Sequence, residues 1–168
     1  MKNRNGLCRL AIILACTTLL FSGCGKQKES DIPFTDMNWN STFEDVSKEY
    51  GEAINIVTSY YGEAYDYAST FENMDGYTRY TFDQDGQLTS AAFIYECEDG
   101  EELPAKYENI HSKLETKYGK TNEYNVDATT ITDIWRLNSG NIMLIALISS
   151  DYNAIMYTYL NPTVSTSK

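Results

Sequence analysis

The sequence predicts an α+β protein that contains tandem α-β-β-β repeats, with helices packed on one face of an antiparallel sheet. Two helical segments end in the same Tyr-Gly pair, at residues 50–51 and 118–119, 68 positions apart. Three strand-like segments joined by short turns follow each helix, which is typical of antiparallel strands. The matching order of elements in the two halves predicts an internal duplication.

The two helices are predicted from the residues at their ends. Ser41 as N-cap and Glu44 three residues later form a capping box, and Gly51 ends the first helix. Pro104 opens the second helix and Gly119 ends it. Apolar residues recur at helical spacing along both segments, so each helix is predicted to bury one side against the sheet.

Six strands are predicted from their composition and from the turns between them. They span residues 65–71, 77–83, 87–97, 129–137, 142–148 and 154–160. In the second strand, Tyr80 and Phe82 alternate with Arg79 and Thr81, so we assign the two aromatic residues to the core. Residues 142–148 contain no polar side chain, which predicts a central strand that is covered on both faces.

The N-terminal segment has the features of a secretory signal. Three basic residues and no acidic one lie within residues 1–9, and an uncharged run extends from residue 10 to residue 21. That run is too short to span a bilayer and suits a signal peptide. Two small residues then precede Cys24. The pattern resembles the bacterial lipobox, which implies cleavage before Cys24 and a diacylglyceryl lipid on its sulfur.

This interpretation divides the chain into five parts. We predict a signal peptide at residues 1–23, a flexible tether at 24–37, a first unit at 38–97, a second unit at 98–162 and a disordered tail at 163–168. The lipoprotein resemblance implies a location on the outer, extracytoplasmic face of the cell membrane, in a Gram-positive bacterium.

The composition limits the partners of the protein. The chain has 24 acidic and 13 basic residues, and loss of the three basic residues of the leader lowers the net charge from −11 to −14. Such a charge disfavours nucleic acid and anionic lipid headgroups, so a lipid anchor would be needed at a membrane. Of the four cysteines, Cys8 and Cys16 lie in the leader and Cys24 takes the lipid. Cys97 is left alone, so no internal disulfide is predicted.

The sequence pattern over residues 38–160 also resembles a known family. The residues that carry the resemblance are Phe43, Val46, Tyr50, Gly51, Tyr80, Phe82, Asp85, Gly86, Leu88, Leu114, Tyr118, Gly119 and Trp135. They are similar in type and order to the tandem helix-plus-sheet modules of secreted β-lactamase-inhibitor proteins, and the same pattern occurs in lipoproteins of unknown function. The resemblance implies an open sheet whose outer face contacts another protein.

Tyrosine is the most distinctive residue type in the chain. All 14 tyrosines follow Cys24, and a phenol ring favours protein recognition because it combines apolar area with a hydrogen-bonding group. We assign four strand tyrosines to an exposed, partner-binding sheet face: Tyr65, Tyr67, Tyr77 and Tyr95. The alternative is that they pack in the core, because aromatic residues are favoured in strands. The predicted function is non-catalytic protein binding, with no cofactor apart from the lipid on Cys24.

Two other kinds of site are weaker predictions. The segment from Thr81 to Ala92 contains Asp83, Asp85 and Gly86 but fails the EF-hand pattern, because Thr81 and Ala92 occupy the first and twelfth places. A second acidic cluster at residues 96–102 could serve a calcium- or small-ligand-sensing envelope lipoprotein, and its alternative is a solvated loop. His111 is the only histidine and lies on the second helix, and nothing nearby in sequence specifies a catalytic partner. We therefore predict no enzyme, and a pocket that joins His111 to two acids would favour one.

Overall fold

The structure, a computed structural model, describes Ile32 and residues 34–165 of the 168-residue chain. The predicted signal peptide, Cys24 and residues 166–168 lie outside the described residues. Among the helices that the structure describes, none has the length and apolar character needed to cross a membrane.

The centre of the fold is an eight-stranded sheet in which all neighbouring strands are antiparallel. The strands are β1 (Asn55–Ser59), β2 (Gly62–Phe71), β3 (Met74–Asp83), β4 (Leu88–Cys97), β5 (Glu123–Val126), β6 (Thr130–Leu137), β7 (Gly140–Ile148) and β8 (Asn153–Leu160). The helices are α1 (Phe43–Tyr50), α2 (Leu103–Tyr118), preceded by a 3₁₀ turn at Gly100–Glu102, and α3 (Pro162–Ser165). The predicted α+β class and antiparallel sheet are therefore confirmed.

The strand order is β1-β2-β3-β4-β8-β7-β6-β5. Each half of the chain thus contributes one helix and then four strands, and the last strands of the two halves, β4 and β8, pair at the centre. All six predicted strands are present. The two that were missed, β1 and β5, form the sheet edges, and every one of their residues is exposed. Strands that bury neither face lack the alternation of apolar and polar residues that prediction needs.

The first helix begins one residue later than its sequence suggested. Thr42, not Ser41, is the N-cap, because its Oγ1 accepts a hydrogen bond from the Asp45 amide at 3.2 Å and the Asp45 carboxylate accepts one from the Thr42 amide at 2.9 Å. The Ser41 hydroxyl instead accepts from the Asn38 amide at 3.0 Å. The second helix ends as predicted at Gly119, whose φ of 82° favours glycine.

Helices α1 and α2 both lie on one face of the sheet, which we call the helix face. Phe43 and Tyr50 of α1 contact the rings of Tyr65 and Tyr80 on the sheet. The core follows the alternation of the strands, and Tyr80 and Phe82 are buried as predicted. Tyr107 of α2 donates to Asp133 of β6, and its hydroxyl lies 3.4 Å from the Leu144 carbonyl oxygen of β7. We call the opposite side of the sheet the open face.

Part of the predicted tether packs on the helix face. Ile32 is fully buried, and the Phe34 ring lies 4.9 Å from that of Tyr157. The Thr35 and Tyr80 hydroxyl oxygens lie 2.6 Å apart. We call Ile32 and residues 34–41 the strap, because they cross the central strands. The strap up to residue 37 was predicted as part of a tether, because polar residues surround its few apolar ones. At the other terminus, α3 forms a helical turn where a tail was predicted from residue 163.

Candidate functional site

Two of the four tyrosines assigned to an exposed sheet face lie in the core instead. Tyr65 and Tyr67 are 9% and 2% exposed, and their rings contact Phe43 and Tyr50 of α1. Their predicted placement is wrong because α1 is only eight residues long, and large rings from β2 fill the space beneath it. Alternation in Tyr65-Asp66-Tyr67 does not show which face of β2 is covered. Asp66, on the opposite face from the two tyrosines, is buried as well.

The other two tyrosines lie on different faces of the sheet. Tyr95 is on the helix face, partly buried against the core, with Lys106 Nζ 5.3 Å from its ring centroid. Tyr77 alone of the four lies on the open face, where its hydroxyl donates to Glu96 at 2.7 Å. A partner-binding role for Tyr77 stays a prediction.

The open face of the first half carries a charged pair. Arg79 donates two hydrogen bonds to Asp66, at 2.7 and 2.9 Å, and Asn55 donates a third at 2.9 Å. Burial alone raises the pKa of Asp66, but the hydrogen bonds from Arg79 and Asn55 and the Arg79 charge outweigh it. The net pKa of Asp66 therefore lies below its usual value.

A tyrosine cluster extends this polar region toward the centre of the sheet. Glu96 accepts from the Tyr77 hydroxyl and from the Tyr152 hydroxyl, the latter at 2.8 Å. Burial and the hydrogen bond to Glu96 raise the pKa of Tyr152 to about 12 and raise that of Tyr77 as well. Both hydroxyls therefore stay protonated donors at neutral pH.

The open face of the second half is aliphatic. We name its main side chains the aliphatic row: Ile134, Met143, Ile145, Leu147 and Met156. They adjoin one another, because Ile134 pairs with Met143 across β6 and β7, and Ile145 pairs with Met156 across β7 and β8. All five are half-buried. The prediction that residues 142–148 are covered on both faces is wrong, since α1, α2 and the strap all lie on the helix face.

On the helix face of the second half, a buried carboxylate joins two side chains of α2. Asp133 of β6 is 0% exposed. Its Oδ2 accepts from the Tyr107 hydroxyl at 2.5 Å and lies 2.7 Å from His111 Nδ1, which makes that nitrogen the donor. Its Oδ1 accepts no hydrogen bond from the residues that the structure describes. Burial and the bond to Asp133 raise the pKa of Tyr107.

This network borders a pocket of about 360 Å³. The residues that line it are Pro104, Tyr107, Glu108, His111, Glu115, Thr121, Tyr124 and Ile131. His111 Nε2 lies 3.7 Å from Glu115 Oε1, so the pocket joins His111 to two acids, the arrangement that would favour an enzyme. Its lining holds no serine or cysteine for the imidazole to activate, and the absence of catalysis stays a prediction. The lining contains two acids and no lysine or arginine. We call this cavity the His111 pocket.

Sequence reasoning did not find the His111 pocket, although two signals pointed to it. Glu108, His111 and Glu115 are spaced three and four residues apart, which puts them on one side of a helix. Asp133 shares its strand face with Trp135, so alternation indicates an acid on the same face as a large aromatic ring. The contact between His111 and Asp133 depends on how α2 sits on the sheet, which no local pattern specifies.

The predicted acidic loop has other roles. Glu96 accepts the two tyrosine hydroxyls, and the Asp99 carboxylate accepts from the Glu101 amide at 2.9 Å. Within the described part of the chain, no group of three or more His, Cys, Asp or Glu side chains is arranged to hold a metal ion. Cys97 is a free thiol whose pKa is raised by burial and by Asp99.

Comparisons with known proteins give one similar structure. No family model matches the chain, and no curated protein matches it either. The crystal structure of the DUF4309 family protein YjgB from Bacillus subtilis subsp. subtilis str. 168 is similar, with 16% sequence identity and a TM-score of 0.44. The match covers 73% of this chain and 79% of that one.

Proposed function

We propose that this chain is a lipid-anchored extracytoplasmic protein that binds another protein, without catalysis, through the open face of its sheet. The aliphatic row is the observation that carries the proposal. Contiguous apolar side chains on a face that neither α1 nor α2 covers mark an interaction site. A partner with a complementary apolar patch would bury them.

The surroundings of the row resemble the arrangement of a protein interface. Cross-strand pairs connect Met156 to Tyr77 through Ile94, which is itself buried. Tyr77 and Tyr152 then supply aromatic area and hydroxyl groups at the edge of the apolar centre. An apolar centre with an aromatic and polar rim is typical of protein–protein interfaces. Of the four predicted tyrosines, Tyr77 therefore keeps a place in the proposed site.

The lipid anchor on Cys24 stays part of the proposal, and the strap makes the tether shorter. Ile32 is fully buried, so a tether that begins at Cys24 would have the eight residues 24–31 before it. Eight extended residues reach at most about 28 Å. The matching order of one helix and four strands in each half supports the further proposal that the halves arose by duplication.

Site-specific photo-crosslinking in the native cell tests the binding face. A photo-reactive amino acid would be incorporated at Met143 in the row, and in a separate variant at Thr116, an exposed residue of α2 on the other face. We expect one discrete protein adduct from position 143 and none from position 116. Ile145→Glu should abolish the adduct, because it places a charge in the apolar centre.

Equal adducts from both positions, or an adduct that survives Ile145→Glu, would argue against the open face as the binding site. The anchor is tested separately with Cys24→Ala, which should leave the protein unlipidated and either released or unprocessed. Unchanged membrane retention of that variant would contradict the anchor and leave the binding face untouched.

A further inference from the structure

The His111 pocket contains a polar network that the fold does not require. The first half of the chain provides an internal comparison, since Phe43 and Tyr65 lie 68 positions before His111 and Asp133 in the corresponding helix and strand. Their rings are in contact, with centroids 4.3 Å apart and planes tilted by 32°. A helix can therefore dock on this sheet mainly through aromatic contacts, without a buried carboxylate under the helix. A buried carboxylate carries a desolvation cost, and retaining it points to a use other than packing.

We propose that the His111 pocket binds an organic cation that carries N–H donors, namely a primary ammonium or guanidinium group on an apolar stem. The pocket lies on the helix face, so this site is separate from the aliphatic row on the open face. The inference therefore stands independently of the proposed protein-binding function.

The groups that face the pocket are hydrogen-bond acceptors. Glu108 and Glu115 bring two carboxylates, and no lining residue carries a permanent positive charge. The tautomer of His111 that donates from Nδ1 to Asp133 carries its lone pair on Nε2, which lies 3.7 Å from Glu115 Oε1. An ammonium group offers three donors and no acceptor, which matches this set. Charge-assisted hydrogen bonds of this kind are stronger than neutral ones.

The rest of the lining suits the stem of such a ligand. Pro104 and Ile131 contribute apolar surface. The Tyr124 side chain is 63% exposed and lines the pocket from β5, so its ring face is accessible to a cation. The net charge of the chain, −11, produces a negative electrostatic potential that also attracts a cation.

The lysines of α2 contact other groups instead of the two pocket acids. Lys106 pairs with Glu102 at 3.4 Å and lies over the Tyr95 ring. Lys113 pairs with Glu72, and Lys117 lies over the Tyr118 ring. Glu108 accepts from the Ser112 hydroxyl at 3.2 Å and Glu115 lies 3.7 Å from His111 Nε2, but neither pairs with a lysine or arginine of the described chain. A cation from outside the chain could take that place, as a free amine or as a lysine side chain of a peptide.

NMR titration tests the proposal with the full chain, purified in detergent without a polyhistidine tag. His111 is the only histidine, so its imidazole gives a single resolved signal beside the pocket. The probes are pentylamine for a free amine, N-acetyl-lysine amide for a peptide side chain, and pentanol as the neutral match. We expect saturable shifts with at least one of the amines, at a dissociation constant on the order of 1 mM, and none with pentanol.

Two charge-matched variants locate the binding site. Glu108→Gln with Glu115→Gln should weaken amine binding by about tenfold or more, since each lost charge-assisted hydrogen bond is a large share of a weak affinity. Glu49→Gln with Glu52→Gln, both exposed and outside the pocket, removes the same charge and should leave binding unchanged. Absence of binding by both amines, equal binding of pentanol, or equal loss in the control variant would each overturn the proposal.

Discussion

The two halves of the chain place their polar groups on opposite faces of one sheet. On the open face of the first half, Asp66 and Arg79 form a bidentate pair across β2 and β3. In the second half, Ile134 stands 68 positions after Asp66 and pairs across β6 and β7 with Met143. The same position in the sheet is thus charged in one half and aliphatic in the other.

On the helix face, the first half is the apolar one and the second half carries the charged group. The first half packs Phe43 against Tyr65, whereas the second half joins His111 to a buried Asp133. Strand order and pairing are alike in the two halves, so neither arrangement is a condition for forming the sheet. The comparison teaches that the apolar open face and the buried polar network of the second half are options that this fold permits, and both of our proposed sites lie there.

Removing the buried carboxylate should have the largest effect on stability. Asp133→Ala leaves the Tyr107 hydroxyl and His111 Nδ1 without their shared acceptor in the core. We expect the free energy of unfolding to fall by about 3 kcal/mol in urea denaturation. Tyr65→Phe in the first half, which removes only a hydroxyl bonded to Glu63, should cost less than about 1 kcal/mol. Equal losses in the two variants would break the comparison.

The charged pair of the first half should give the next largest effect. Asp66→Asn weakens the contacts with Arg79, which is partly exposed, so we expect a loss of about 2 kcal/mol at neutral pH. The pKa of Asp66 is lowered in the folded state, so this stabilisation is present above the unfolded pKa of about 4 and is lost as pH falls through the folded value.

The acid dependence provides the check on that pair. Stability of the Asp66→Asn variant should fall less than that of the wild type between about pH 5 and about pH 2. Arg79→Gln should flatten the same part of the curve, because it removes the group that lowers the pKa of Asp66. Parallel curves for the wild type and both variants would show that the pair contributes nothing to stability.

A smaller effect is expected where the two regions of the open face meet. Tyr77→Phe removes one of the two hydroxyls that donate to Glu96, while the Tyr152 hydroxyl remains. The free energy of unfolding should fall by about 1 kcal/mol. A double-mutant cycle with Glu96→Gln should yield most of that value as coupling energy, and zero coupling would remove this cluster from our description.

Much of the fold could be predicted because the signals are local. Pro104, Gly119 and the alternation around Tyr80 specify a helix and a strand face within a few residues. The edge strands escaped prediction because exposed residues carry no burial pattern. The strap escaped because Ile32 acquires a core only when the distant central strands assemble.

The sites were less predictable because they depend on contacts between distant elements. Tyr65 and Tyr67 flank an acid that is itself buried, so the pattern did not indicate which face was covered. Asp133 could have been recognised as a buried acid from its place beside Trp135. Its partner could not, because His111 lies 22 residues earlier and meets it only after α2 packs on β6.

The central claim is that the second half keeps its buried polar network for ligand binding and not for folding. The triple substitution Tyr107→Phe, His111→Phe and Asp133→Leu tests it, because it removes every member of the network at similar shape and leaves no buried hydroxyl without its acceptor. It also restores an apolar contact like that of Phe43 and Tyr65. We predict that the free energy of unfolding equals or exceeds that of the wild type, or falls below it by no more than about 1 kcal/mol. Amine binding should be lost. A loss of about 3 kcal/mol or more, or amine binding that persists, would contradict the claim.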